Sequence, residues 1–411
     1  MNILLINHYA GSDKHGMEFR PFYMAREWVK GGNDVTIVAA DYSHLRKYNP
    51  EVEKDFTVEM IDGVRYVWIK TPKYSGNGVG RIINILTFIN KLKFKASYIA
   101  NTYKPDAVIA SSTYPLDIFP SAKIARFSSA RLYFEIHDLW PLTPIEIGGF
   151  SPKHPYIMYM QKAEDYAYKN CNGIISILPN ADKHIKDRGF STENYTFVPN
   201  GVIINNEEEE EKVEEPNIDQ LITLNKLKDE GYFLVGYTGN HSPANALDTM
   251  LKAANKMKDK KIKFILVGSG NIKDELVKYK EEHKLDNVVF LDPVKKDDIP
   301  FVLSKLDVAY MSLRKESLFR FGVSPNKLFD YMMASKPILY SVEASNDPVS
   351  EAKCGISIKA ESEDEVVIAL EKFMSLSEEE RMVMGNNGKG FVVKNHKYDV
   401  LAEKFLNALK K

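Results

Sequence analysis

Cysteine is nearly absent: Cys171 and Cys354 are the only two in 411 residues, too far apart for a disulfide framework or a thiolate metal site. That scarcity fits a reducing compartment. Long hydrophobic runs are also missing, and no stretch reaches the 18 or so apolar residues that a membrane span requires. The first eight residues lack the basic region and small-residue cleavage site of a signal peptide, so a cytoplasmic location is expected. Nor is there an excess of one charge. The 55 Lys and Arg against 56 Asp and Glu leave a formal net charge of −1, which gives no reason to expect nucleic acid as the main partner. No repeat of solenoid period occurs, and the one low-complexity tract is the glutamate run Glu207 to Glu211.

What remains is the composition of an ordinary globular protein, 44% apolar and 27% charged, with length enough for two domains. Short apolar runs alternate with amphipathic stretches through both halves. Runs at 3–6, 35–39, 107–110, 132–136, 173–177 and 195–198 read as strands in the first half. Those at 233–237, 263–267, 288–291, 308–311 and 337–340 do so in the second. Strands apolar on both faces and separated by helices predict α/β domains with parallel sheets. The glutamate run marks a solvated linker at 205–216 between a first domain, 1–204, and a second, 217–390. A final helical piece, 391–411, is expected to pack back on the first domain.

Most informative is the stretch from Ser324 to Ile338, Ser-Pro-Asn-Lys-Leu-Phe-Asp-Tyr-Met-Met-Ala-Ser-Lys-Pro-Ile. Ser324 is a favourable N-cap and Pro325 suits the first helical turn, so a helix is predicted with Asn326 and Lys327 at its start. Free amides, the positive end of the dipole and the Lys327 charge together favour an anion. Asp330 follows on the same face, one turn on. A cation with a carboxylate behind it suits a phosphate joined to a polyhydroxylated group, which describes a sugar nucleotide. Gly236 to Asn245 predicts a second such start, with Ser242 and Pro243 opening a helix and Gly239, Asn240 and Asn245 beside the anion. Gly268-Ser269-Gly270 reads as a tight turn and lacks the third glycine of a dinucleotide fingerprint.

In the first half, the loop from Tyr9 to Gly16 and the helix after it place Gly16, Glu18 and Arg20 toward a ligand crevice, with Arg20 also readable as a surface charge. His137-Asp138 end a strand where ligands bind; the imidazole can meet a sugar hydroxyl, and Asp138 can orient it or accept a proton. The stretch from Arg81 to Lys104 has five basic residues, Arg81, Lys91, Lys93, Lys95 and Lys104, with no acid and apolar residues between them. It reads as a basic amphipathic helix suited to an anionic membrane, or as a core helix with a basic outer face.

With these motifs in hand the chain resembles the retaining glycosyltransferases of family 4, in particular the bacterial branch that builds capsule and O-antigen. His137 to Pro141, Val198 to Val202, Gly236 to Asn240 and Ser324 to Pro337 carry the likeness, which spans nearly the whole chain. The resemblance implies a GT-B fold of two facing Rossmann-like domains, the second for a nucleotide-sugar donor and the first for the acceptor, without metal or other cofactor. It implies transfer of a hexosyl or N-acetylhexosaminyl group, with uridine as the expected base, to a lipid-linked glycan. By the same resemblance Asp330 stands at the second glutamate of the family's E-x7-E motif and binds ribose, Pro293 and Val294 lie at the base, and His137 touches the donor sugar. The first glutamate falls at Gly322 and is missing, as are the usual diphosphate cations near Gly236 to Asn245. Lys327 is the expected substitute with Arg320 second; Gly16, Ser324 and Asn326 complete the donor set, Glu18 and Arg20 stand on the acceptor side, and His137 and Asp138 are expected to orient. Two rival readings are a sugar-nucleotide 2-epimerase and a non-catalytic subunit that binds sugar nucleotide.

Overall fold

The structure is a computed structural model that describes residues 1–16, 19–76, 78–204 and 214–410. The candidate Glu18 and all but the last three residues of the acidic segment 205–216 lie outside them. The chain forms two compact units. Met1–Ile203, Phe321–Ser324 and Tyr398–Lys411 make the first, and Ile204–Arg320 with Pro325–Lys397 the second.

The first unit holds β1 (Asn2–Ile6), β2 (Asp34–Ala40), β3 (Thr57–Ile61), β4 (Val64–Ile69), β5 (Ala107–Ala110), β6 (Arg131–Ile136), β7 (Gly173–Ser176) and β8 (Tyr195–Phe197). They form one sheet in the order β3-β4-β2-β1-β5-β6-β7-β8. Every pair is parallel except β3 with β4. That hairpin was not among the strands expected, although its turn is encoded. Ile61 pairs with Val64 across Asp62-Gly63, and both turn residues have positive φ, 48° and 79°. An Asp-Gly pair between alternating residues is the signature of such a two-residue hairpin.

The final helix, Tyr398–Lys410, belongs to this unit because its Leu401, Phe405 and Leu409 side chains are buried in the unit's core. Phe405 meets the Trp28 ring edge-on at 5.0 Å, and the Trp28 indole N–H donates to the Ala402 carbonyl at 3.1 Å. The segment that returns therefore begins at Tyr398, not at 391. The preceding helix, Glu378–Asn395, is opened by a Ser377–Glu380 capping box and stays in the second unit. Its Gly385 and Gly388 lie so close to Ser335 and Met332 that side chains there would displace the packing.

The second unit contains β9 (Phe233–Thr238), β10 (Ile262–Val267), β11 (Val288–Leu291), β12 (Val308–Ser312), β13 (Ile338–Ser341) and β14 (Gly355–Ile358). All pairs are parallel, in the order β11-β10-β9-β12-β13-β14. The order reverses between β9 and β12, and a ligand crevice is expected outside the carboxyl ends of these two strands. Each unit is thus a Rossmann-like α/β domain. Among the described residues no helix is long and apolar enough to cross a membrane.

Candidate functional site

In the second unit the helix Asn326–Met333 is fastened to the carboxyl end of β9 at two points. The Tyr331 hydroxyl accepts from the Thr238 amide at 2.9 Å. Lys327 Nζ lies 3.9 Å from the centroid of the Tyr237 ring and donates to that residue's hydroxyl at 2.5 Å. The hydroxyl passes its own proton to the Asn240 carbonyl at 2.8 Å. Gly239, with φ of 137°, lies beneath this chain of contacts: a Cβ there would come within 2.9 Å of Lys327 Cε. Lys327, Gly239 and Asn240 are therefore brought together. Asn245 joins them through its amide, which donates to the Asn240 carbonyl at 2.9 Å and to Ser242 Oγ at 2.8 Å.

Crowding by protein removes water from the Lys327 ammonium and brings its pKa down to about 7, with Asp330 acting weakly the other way. Asp330 moves in the opposite sense, up to about 6, because its surroundings disfavour the carboxylate more than Lys296 and Lys327 favour it. Groups whose pKa values are pushed toward each other in this way mark candidate functional sites. Asp330 keeps an exposed surface, and the Lys296 beside it closely follows Pro293 and Val294 on the loop after β11.

Two expectations about helix starts are corrected. Ser324 does not cap the helix: the N-cap position is Pro325, with extended backbone and no side-chain cap. Ser324 groups with the first unit instead, where its hydroxyl accepts from the Asn200 amide at 3.0 Å and its carbonyl from the Asn200 side chain at 2.8 Å. Ser242-Pro243 open only the single 3-10 turn Pro243–Asn245. The α-helix Leu247–Lys256 starts after Ala246, which adopts a left-handed conformation that breaks the run. One helix start, not two, remains beside Lys327. Asn326 is exposed in its first turn, and Arg320 donates to the Ser317 carbonyl at 2.7 Å within the 3-10 segment Ser317–Phe321.

Gly322, where the family's first glutamate would fall, is buried with φ of 95°. A glutamate would be strained in that conformation, so the backbone itself differs from one that presents an acid there.

In the first unit His137 follows β6 beside a buried ion pair. Its Nε2 lies 3.0 Å from Ser111 Oγ and 3.2 Å from Glu135 Oε2. Ser111 gives its one proton to Glu135 at 2.6 Å, so Nε2 carries hydrogen. Arg20, 7% exposed, pairs with Glu135 at 2.9 Å and donates to the Val198 and Pro199 carbonyls at 2.8 and 2.5 Å. Arg20 is thus not a surface charge: its guanidinium is taken up by Glu135 and these two carbonyls. Burial alone would raise the Glu135 carboxyl, but His137, Arg20 and the hydrogen bonds outweigh it and bring it to about 2. Asp138 does not hold the imidazole. Its oxygens accept from the Leu139 amide at 2.8 Å, the Trp140 indole at 3.0 Å and the Thr143 hydroxyl at 2.6 Å, fixing the turn. Gly16 lies in a separate turn against Lys47, closed by its amide on the Ser12 carbonyl at 3.1 Å.

Several residues of these clusters went unread in the sequence: Tyr237, Tyr331, Ser111 and Glu135. Glu135 did leave a signal, being an acid inside an otherwise apolar strand. The tyrosines left none, since a tyrosine in an apolar run reads as core. The basic stretch also divides. Helix Val79–Phe94 buries Asn84, Ile85, Phe88, Ile89 and Leu92, and helix Ala96–Tyr103 buries Ala96, Ile99 and Ala100. Lys91 pairs with Asp55 at 2.9 Å, and Arg81 lies over the Tyr9 and Trp140 rings. Of the five, Lys93, Lys95 and Lys104 are exposed; the first two flank Phe94, 83% exposed, and Lys104 ends the second helix. Among the described residues no group of three or more His, Cys, Asp or Glu could hold a metal ion.

Two Rossmann-like units, one with a lysine at a helix start on its topological switch point, define a class of paired α/β domains. Comparison with known proteins names it. Residues 15–206 match the family described as Glycosyltransferase Family 4, and residues 222–391 match Glycosyl transferases group 1. The chain is a glycosyltransferase of the GT-B type. It is 22% identical over 346 residues to WcaI of Escherichia coli K12, named for colanic acid biosynthesis, covering 82% of this chain and 83% of WcaI. It is also 22% identical over 268 residues to the probable glycosyltransferase WbjE of Pseudomonas aeruginosa, covering 65% of this chain and 63% of WbjE's length. The fold superposes on Anabaena HepE in complex with UDP with a TM-score of 0.68 at 14% identity, over the full length of both chains.

Proposed function

We propose that the chain transfers a hexosyl or N-acetylhexosaminyl group, with retention, from a UDP-linked donor to a lipid-linked glycan in surface polysaccharide biosynthesis. The observation that carries the reading is Lys327, a cation at a helix start, held against Tyr237 at the carboxyl end of β9. A leaving diphosphate gains charge as the glycosidic bond breaks, and a fixed cation with oriented amides stabilises that charge in the transition state. Asp330 accepts the ribose hydroxyls, and Pro293 and Val294 border the base. His137, anchored through Nε2, presents its ring to a sugar hydroxyl. The similarity to WcaI, WbjE and the UDP complex of HepE supports the reading.

The acceptor, an anionic polyprenyl-linked glycan at the inner face of the membrane, would bring the protein to that surface. The exposed Lys93, Lys95 and Lys104 of these two helices, with the exposed Phe94 and Tyr98, would supply the docking contacts. The test is turnover of UDP-sugars with and without a lipid-linked acceptor. Sugar transfer that requires the acceptor supports the reading. Altered sugar released without any acceptor would identify an epimerase, and binding without turnover a non-catalytic subunit.

A further inference from the structure

His241 follows the loop at the end of β9 and is fully buried, yet neither ring nitrogen has a hydrogen-bond partner among the described residues. Its backbone is committed, the amide donating to the Ser269 carbonyl at 2.8 Å and the carbonyl accepting from the Ile272 amide at 3.2 Å. The ring is lodged between Tyr237 and Phe290, whose centroids are each 6.0 Å away. Buried polar atoms are nearly always paired, and an unpaired one asks for a specific reason. A phenylalanine would fill the same space without that cost.

The surroundings say what the nitrogens suit. Nε2 lies 3.4 Å from the place where a Cβ on Gly268 would stand. A Cβ on Gly268, whose φ is 144°, would also collide with the Gly239 carbonyl oxygen, so the two glycine turns meet beside the imidazole. The charged groups that act on the ring are both cations, Lys273 and Lys327. Lys273 donates to the Gly268 carbonyl at 3.2 Å and to Asp292 at 3.1 Å, and Lys327 lies over the Tyr237 ring. Burial first, then these two lysines, lower the imidazole to about 4, so it is neutral near pH 7 with one N–H to donate. A neutral donor in a positive field matches an oxygen of an anion.

We propose that His241 is a binding residue of the donor site, donating a ring N–H to a phosphate oxygen of the nucleotide diphosphate. This rests on the reading that the chain binds a sugar nucleotide. Calorimetric titration of UDP and uridine into wild type and His241→Phe separates the two ideas. The expected result is UDP affinity lowered about tenfold or more by the substitution, with uridine affinity unchanged, as for loss of one charge-assisted hydrogen bond. His241→Gln, which restores an N–H, should recover part of the loss. Unchanged UDP affinity in His241→Phe, or an equal loss for UDP and uridine, overturns the assignment while leaving nucleotide binding intact. If wild type binds neither ligand, the donor reading itself fails.

Should His241→Phe not fold, the wild-type protein carries the test through 15N spectra of its histidine rings. UDP, and not uridine, should shift the ring nitrogens of the one histidine whose signal is missing from His241→Gln. Ring nitrogens indifferent to UDP at saturation would sink the proposal.

Discussion

Lys327 and Tyr237 form one unit: the ammonium sits 3.9 Å from the ring centroid and donates to the hydroxyl at 2.5 Å. The aromatic face offsets part of the cost of drawing the charge out of water, and the hydroxyl fixes its position without neutralising it. A cation held that way remains available to a phosphate. Lys327→Ala should therefore lower kcat/KM by about a hundredfold or more, the scale of removing one preorganised charge from a transition state. Steady-state kinetics with a UDP-sugar would decide it, and full activity in the variant would place the diphosphate elsewhere.

The pH profile follows from the same pair. On the proposed reading Asp330 would accept ribose hydroxyls best as a carboxylate, above about pH 6, and Lys327 would bind phosphate as an ammonium, below about pH 7. A UDP-sugar does not itself titrate in this range. The kcat/KM profile of the free enzyme should thus be a narrow bell with its maximum between those values. Lys327→Arg keeps its charge to high pH, so the alkaline limb should vanish in that variant. An unaltered alkaline limb would assign it to another group.

Asp330→Asn retains the size of the side chain and one acceptor oxygen but loses the charge that the proposed ribose contact requires. Weaker UDP binding with little change in melting temperature is expected. Asp330→Glu should be tolerated, because it is the residue the resemblance leads one to expect there. Calorimetry with UDP measures both, and equal affinity in all three proteins would remove Asp330 from the ribose.

Glu135 is a buried acid of the first unit, paired with Arg20 and close to His137. Its carboxyl stands near 2 in the folded chain against 4.5 for the ordinary side chain. A depressed carboxyl stabilises the fold above the unfolded pKa and loses that contribution as pH falls from about 4.5 toward 2. Glu135→Gln leaves the Arg20 guanidinium without its counter-charge and should cost about 3 kcal/mol at neutral pH. Urea unfolding at several pH values should show the gap between wild type and variant closing below pH 4.5. A gap independent of pH would mean that packing, not charge, is what the substitution removes.

Membrane docking should depend on the lysines that remain exposed. Replacing Lys93, Lys95 and Lys104 with glutamine should reduce flotation with anionic liposomes and flatten its salt dependence, with activity on a water-soluble acceptor analogue preserved. Lys91→Gln alone should change flotation little, since its ammonium is already paired with Asp55. If wild type ignores anionic liposomes at low salt, the two helices are ordinary core-packed elements with a basic outer face.

The sequence by itself determined the parallel α/β character of both halves and the helix carrying Lys327 and Asp330. Apolar runs of strand length and helical periodicity are local properties, and a lysine in a first turn stays there whatever the helix packs against. It also encoded the Asp62-Gly63 hairpin, which went unread although β4 ends in the apolar run Tyr66 to Ile69; only β3 alternates. The tertiary structure decided which polar groups are in fact available. Ser324 read as a cap and serves Asn200; Asp138 read as the partner of His137 and holds its own turn; Arg20 read as facing a ligand and neutralises Glu135. Each outcome depends on a residue at least 100 positions away or on competing donors within one turn. Hydrogen bonds are short and directional, so their partners are fixed only when distant strands and loops arrive in register.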